Sequence, residues 1–179
     1  MTRRAPRYTT TAIGLHWLLA LMIGISLCVG LSMTGLAMTP TRLKLFNWHK
    51  WAGICILALT ALRLAWRLRH PPPPDVPMPA WQARAAHTTH FLLYLLCIAL
   101  PLSGWAYSSA AGFPVVVFGV LPLPDFVPVD RELAALCRQT HHLLAFALAV
   151  LVAGHVAAAL KHRFVDHDDL LQRMTPTRR

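Results

Sequence analysis

Four long apolar stretches, separated by polar or proline-broken segments, set the pattern of the chain. The first, Ala12 to Met38, runs 27 residues without a charged side chain, more than the roughly 20 that a helix needs to cross hydrocarbon. Arg3, Arg4 and Arg7 precede it as they would a secretory signal, but the apolar core of a cleavable signal is only about 7 to 15 residues long. It is therefore read as a retained helix. A second span covers about Leu45 to Leu68, where His49, Lys50 and Arg63 leave an uncharged core of only 12 residues. A third covers Ala86 to Tyr107, and a fourth, Gln139 to Leu160, fits 22 residues between Arg138 and Lys161. The proline-rich run from His70 to Pro79 lacks the amide donors for a helix and reads as an extended connector. Ala110 to Val129 is apolar but broken by Pro114, Pro122, Pro124 and Pro128, so it reads as an interfacial loop, and Arg163 to Arg179 as a short polar tail. The expected fold is an all-α membrane protein: one integral membrane domain over residues 1–179, an up-down-up-down bundle of four transmembrane helices.

Composition strengthens this reading. The 179 residues are 56% hydrophobic and only 13% charged, against roughly 25% charged in an average soluble chain. A net charge of +10 would suit nucleic acid if the cations lined an exposed face, but they sit between apolar blocks, so no nucleic-acid partner is expected. Cys28, Cys55, Cys97 and Cys137 show no spacing for a zinc site, a disulfide framework or covalent haem attachment. Twelve of the 17 Lys and Arg fall on the N-terminus, the second loop and the C-terminus, including Arg3, Arg4, Arg178 and Arg179. By the positive-inside bias both termini are expected in the cytoplasm, in a bacterial inner membrane.

The ten histidines carry the chemistry, because an ionisable side chain inside a membrane span is costly and usually functional. His141 and His155 lie 14 residues apart on span four, which leaves them about 40° apart around the helix and about 21 Å apart in depth. His142 falls on another face, so His141 is preferred within the doublet. In the four-span topology His16 matches the depth of His155, and His49 that of His141. Two imidazole pairs, stacked at two levels and each drawn from two helices, suit the axial positions of two six-coordinate haem irons. Zinc would want three or four protein ligands per site. The competing readings are a polar helix contact for His16 and His155 and headgroup-level histidines for His49 and His141.

Gly30 follows His16, and Gly104 follows His90, by 14 residues, so each glycine is expected on the face of its histidine at the opposite level, where it gives room for a macrocycle. Arg63 lies 14 residues after His49, placing a cation near the cytoplasmic level as a partner for a propionate or, alternatively, snorkelling to the interface. His87 and His90 stay open between a substitute ligand, a quinone or proton site, and a structural role. Lys50, Arg131 and Arg138, with Arg42 and Lys44, form a candidate anion-attracting mouth or simply anchor headgroups.

Gly-Leu-His16-Trp-Leu, Asn-Trp-His49-Lys-Trp-Ala-Gly, Arg63-Leu-Ala-Trp-Arg67, Ala-His87-Thr-Thr-His90-Phe-Leu-Leu-Tyr and Pro101-Leu-Ser-Gly104-Trp, together with His141 and His155, make the chain resemble the bacterial cytochrome b561 family over nearly its whole length. Its length and loops are similar to those of the superoxide oxidase branch. The resemblance implies two non-covalent haem b groups, with His16 and His155 holding the cytoplasmic one and His49 and His141 the periplasmic one.

The function expected is an electron wire that oxidises superoxide at the periplasmic side and reduces ubiquinone. Membrane lipid, quinone and superoxide are its partners, and no obligate protein partner is expected. Two alternatives stand beside it. One is a dihaem relay subunit between a partner dehydrogenase or hydrogenase and the quinone pool. The other is a haem-free, His-bearing transporter or scaffold.

Overall fold

The computed structural model describes residues 7–175; Arg3, Arg4, Arg178 and Arg179 lie outside them. Four helices dominate: α1 (Thr10–Thr34), α2 (Pro40–Arg69), α3 (Ala80–Ala110) and α4 (Arg131–Phe164). Each is long and apolar enough to cross a membrane, and large apolar side chains such as Leu21, Leu31, Phe91 and Phe146 stand exposed on their outer faces. In water such surface would be unfavourable; against acyl chains it is the proper solvent-facing surface.

The helices outrun the apolar stretches at most ends, because capping and not hydropathy decides where a helix stops. Thr39 caps α2 by accepting from the Arg42 amide, and Pro40 occupies the first turn, where its missing N–H costs nothing. The second helix thus begins at residue 40, not near 45. Asp130 caps α4 through the Leu133 amide at 2.7 Å, with Glu132 in the first turn, so α4 begins eight residues before Gln139. The first helix ends earlier than expected, at Thr34, followed by a turn at Gly35.

Successive helices run antiparallel. α1 packs on α2, α2 on α3 and α3 on α4, whereas α4 packs closely on neither α1 nor α2. The residues between α3 and α4 hold a feature that the sequence pattern did not suggest: a small antiparallel hairpin of β1 (Val116–Val117) and β2 (Leu121–Pro122). It is pinned to α2 by the Trp51 indole, which donates to the Val116 carbonyl at 2.6 Å.

The C-terminal segment is no free tail. A 3-10 turn, Leu171–Met174, lies against the bundle end that carries His16. There the Trp17 indole donates to the Met174 carbonyl at 2.6 Å, Arg7 donates to the Gln172 carbonyl at 2.8 Å, and Arg173 donates to the Pro74 carbonyl at 2.5 Å. At the base of this strap His162 contacts Asp168 at 2.5 Å, and Asp168 accepts from the Leu170 amide at 2.9 Å. Partial burial pushes the Asp168 carboxyl up, but the Leu170 amide, His162 and Arg173 outweigh it and hold the group below the ordinary aspartate value. A depressed folded-state pKa contributes stability that is present above the unfolded value, about 3.9, and lost as pH falls through the folded one. The strap should therefore stay docked at pH 5 and loosen below about pH 4, an effect that hydrogen exchange at the Leu170 amide will register as lost protection.

Candidate functional site

Two histidine pairs face each other across the helices that do not pack together. His16 of α1 and His155 of α4 have ring centroids 6.2 Å apart with planes at 75°. His49 of α2 and His141 of α4 have centroids 6.1 Å apart with planes at 82°. A transition metal holds a histidine nitrogen about 2 Å away, so two imidazoles on opposite sides of one ion place their ring centres about 6 Å apart. Both pairs have that separation, and each joins α4 to a helix on which it does not pack closely.

The hydrogen bonds at the His49–His141 level orient the rings. His141 Nδ1 lies 3.1 Å from the Leu100 carbonyl and 3.1 Å from Ser103 Oγ, while the Ser103 hydroxyl itself donates to Leu100 at 2.8 Å. A carbonyl can only accept, so the proton sits on Nδ1 and the Nε2 lone pair is left for a metal. His49 Nδ1 lies 3.2 Å from Ser26 Oγ, a hydroxyl that can donate or accept and so holds the ring with Nδ1 turned toward α1 in either tautomer. Pro101 sits inside α3, where it deletes one ladder donor, next to the carbonyl that His141 uses. Sequence reasoning had passed over both serines and Leu100: a partner 23 or 38 residues away leaves no periodic trace.

The two glycines are also explained at this level. A Cβ on Gly104 would stand 2.9 Å from Cε1 of His141, and one on Gly30 would stand 3.1 Å from Cε1 of His49. They do lie at the opposite level from His90 and His16, but what they accommodate directly is the imidazole ring of another helix. His141, not His142, faces His49. His142 is exposed and lines an open groove with Arg138, Gln139 and Leu143.

At the other level a third ring joins the pair: His90 of α3 lies 5.4 Å from His155, centroid to centroid. His87 turns away to the connector and contacts Asp75 at 3.0 Å, so the two histidines that the sequence left together have separate neighbours. Arg63 places its guanidinium over the Tyr94 ring, 5.5 Å from the centroid, in a crevice with Tyr8, Trp66, Arg67 and His70. Among the described residues it forms no ion pair with a carboxylate, so a cation stands at the mouth of the His16–His155 level.

Of the candidate mouth residues, Lys50 is tied inward. Its ammonium reaches Ser108 Oγ at 3.1 Å and the carbonyls of Phe113 and Pro114 at 3.3 and 3.4 Å. Its three N–H donors are therefore engaged in fastening the loop to α2. Arg42 lies over the Phe46 ring at 5.4 Å. Arg131 opens α4, and Arg138 stays on the groove.

A family model described as prokaryotic cytochrome b561 matches residues 7–177. Three relatives are each 34% identical over 97% of this chain. They are "Cytochrome b561 homolog 2" and "Cytochrome b561 homolog 1" of Escherichia coli strain K12, covered over 93% and 99% of their lengths, and "Probable superoxide oxidase CybB" of Yersinia pestis, covered over 98%. With its four spanning helices and its imidazole pairs, the chain belongs to the prokaryotic cytochrome b561 family of haem b membrane electron-transfer proteins.

Proposed function

We propose that this protein moves electrons across a bacterial inner membrane between two b-type haems, oxidising superoxide to dioxygen at the periplasmic side and reducing ubiquinone to quinol. The observation that carries the proposal is the presence of two imidazole pairs, 6.1 and 6.2 Å apart, on helices that stand clear of each other. His49 and His141 would hold the periplasmic haem, and His16 and His155 the cytoplasmic one, with both termini on the cytoplasmic side. When bound, the haems supply one-electron acceptance and transfer; the chain supplies their position, their field and access to them.

Ser26, Ser103 and the Leu100 carbonyl hold the Nδ1 atoms and so fix which nitrogen each periplasmic imidazole presents. His49 and His141 would hold the periplasmic group from two helices, and superoxide would then react at the edge of the site. Arg131 and Arg138, with the fixed charge of Lys50, would draw a small anion toward the periplasmic rings, an attraction that salt weakens. Arg63 is placed to pair with a propionate. His90, close to His155, and His87, paired with Asp75, would be the candidates to meet a quinone headgroup or its protons. A relative as similar as the cytochrome homologues is named "Probable superoxide oxidase CybB", which supports the choice of donor.

Bound haem per chain tests the ligand assignment. His16→Ala and His155→Ala should each lose the same haem, and His49→Ala and His141→Ala the other, while His142→Ala should retain both. A His141→Ala protein that keeps both haems would overturn it. Stopped-flow mixing with superoxide and a quinone tests the reaction: haem reduction followed by quinol formation is expected, at a rate that falls with ionic strength. Haems that ignore superoxide but accept electrons from quinol or a partner would make the protein a relay.

The two glycines grade the fit. Gly104→Ala, whose new methyl meets His141 at 2.9 Å, should displace the ring and lower haem retention more than Gly30→Ala, where the contact is 3.1 Å. Absorbance in the Soret region of the purified variants reads the difference.

A further inference from the structure

The segment between α3 and α4 carries a second surface that electron transfer does not use. From Ala110 to Pro124 the chain has no polar or charged side chain. Four of its large residues stand out from the bundle, with Phe113 69%, Phe118 62%, Val120 81% and Leu121 60% exposed. On an aqueous loop this would be an unusual concentration of apolar surface.

The contacts of the segment set its depth. Lys50 holds Phe113 and Pro114, and Trp51 holds Val116, so the hairpin base lies beside residues 49–51 of α2. α2 begins at Pro40, and the nine residues from there to His49 at 1.5 Å each put the hairpin about 14 Å inside that helix end. On α1 the matching level is Gly30, which approaches His49 four residues before the helix ends, and the neighbouring Leu31 is exposed on the spanning surface. The hairpin base is therefore level with an exposed apolar stretch of α1.

Irregular backbone survives beside hydrocarbon only if its polar groups find partners within the protein. Here they largely do. The Phe113 amide donates to Ser108, Gly119 to Val116, Val120 to Val117 and Leu123 to Val115. The Phe113 carbonyl accepts from Lys50 and from Ser108, and the Val116 carbonyl from Trp51. Pro114, Pro122 and Pro124 have no amide proton to satisfy. The tip follows the same logic. Phe118 and Gly119 both take positive φ, 53° and 73°, positions where a water-exposed turn favours Asn and Gly over a bulky residue. The phenylalanine in the first of them packs its ring against Trp51, 5.5 Å away centroid to centroid.

We propose that residues 112–124 form a re-entrant hairpin whose tip, Phe118 to Leu121, is seated in the acyl region of the membrane at the His49–His141 end. It closes that end of the bundle sideways against lipid. The occupant of this surface is lipid, not a second copy of the chain or another protein.

The test uses the unaltered protein in liposomes, footprinted in parallel with a diazirine-bearing phospholipid that releases a carbene among the acyl chains and with hydroxyl radicals generated in water. Mass spectrometry of the peptide spanning 113–124 should show carbene adducts at Phe118, Val120 and Leu121, and little oxidation. Oxidation at the tip without carbene adducts would place it in water, and protection from both reagents would place a protein partner over it; either result overturns the proposal. A Val120→Cys protein carrying an environment-sensitive fluorophore provides a second measurement, with the labelled native chain as background for its four cysteines. Its emission should be quenched several-fold more by nitroxide lipid than that of Glu132→Cys on the exposed first turn of α4, and equal quenching would again overturn the proposal.

Discussion

An imidazole in a membrane core has to be given something to bind, because hydrocarbon offers no hydrogen-bond partner and leaving the ring unpaired is expensive. The whole bundle is organised around four such rings. Among the described residues, helices α1, α2 and α3 pack on one another in sequence, and α4 packs on α3 and the C-terminal turn, yet α4 carries one histidine of each pair. The separation of α4 from α1 and α2 is thus the architectural counterpart of the 6 Å ring spacing. It keeps the four rings on helices that do not close tightly on one another.

That α4 supplies a member of both pairs also means that a single rigid rod sets the distance between the two levels. Fourteen residues of uninterrupted helix separate His141 from His155, or about 21 Å along the axis. The opposing rings come from different helices, α1 and α2, which pack tightly on each other. Each level can therefore be tuned by its own surroundings, serines and a carbonyl at one, His90 and Arg63 at the other, without altering the span between them.

Much of this was legible in the sequence, because it follows from periodicity. The number of spans, the faces of His141 and His155, and the depths of Gly30 and Gly104 all descend from 100° and 1.5 Å per residue. Helix ends were not, since Thr39 and Asp130 extend α2 and α4 past their apolar stretches by capping, a local effect that hydropathy ignores. Ser26 and Ser103 went unnoticed because a serine in an apolar helix is ordinarily satisfied by its own backbone, and only folding brings them to histidines of other helices. His90 near His155 depended on how α3 rotates against α4, which packing decides. The hairpin was hidden by its prolines, which argue against regular structure although they occupy positions where no ladder donor is needed.

The strap joining Gln172–Thr175 to Arg7 and Trp17 bridges partners up to 168 residues apart. In the order of synthesis, the first helix of the bundle waits for the last segment before its end is covered. With the strap docked, Trp17, one residue from His16, is still 45% exposed, but its indole N–H is engaged by Met174. Loss of the C-terminal segment would therefore leave the Arg7 and Trp17 side chains without these partners at the end of α1 that carries His16.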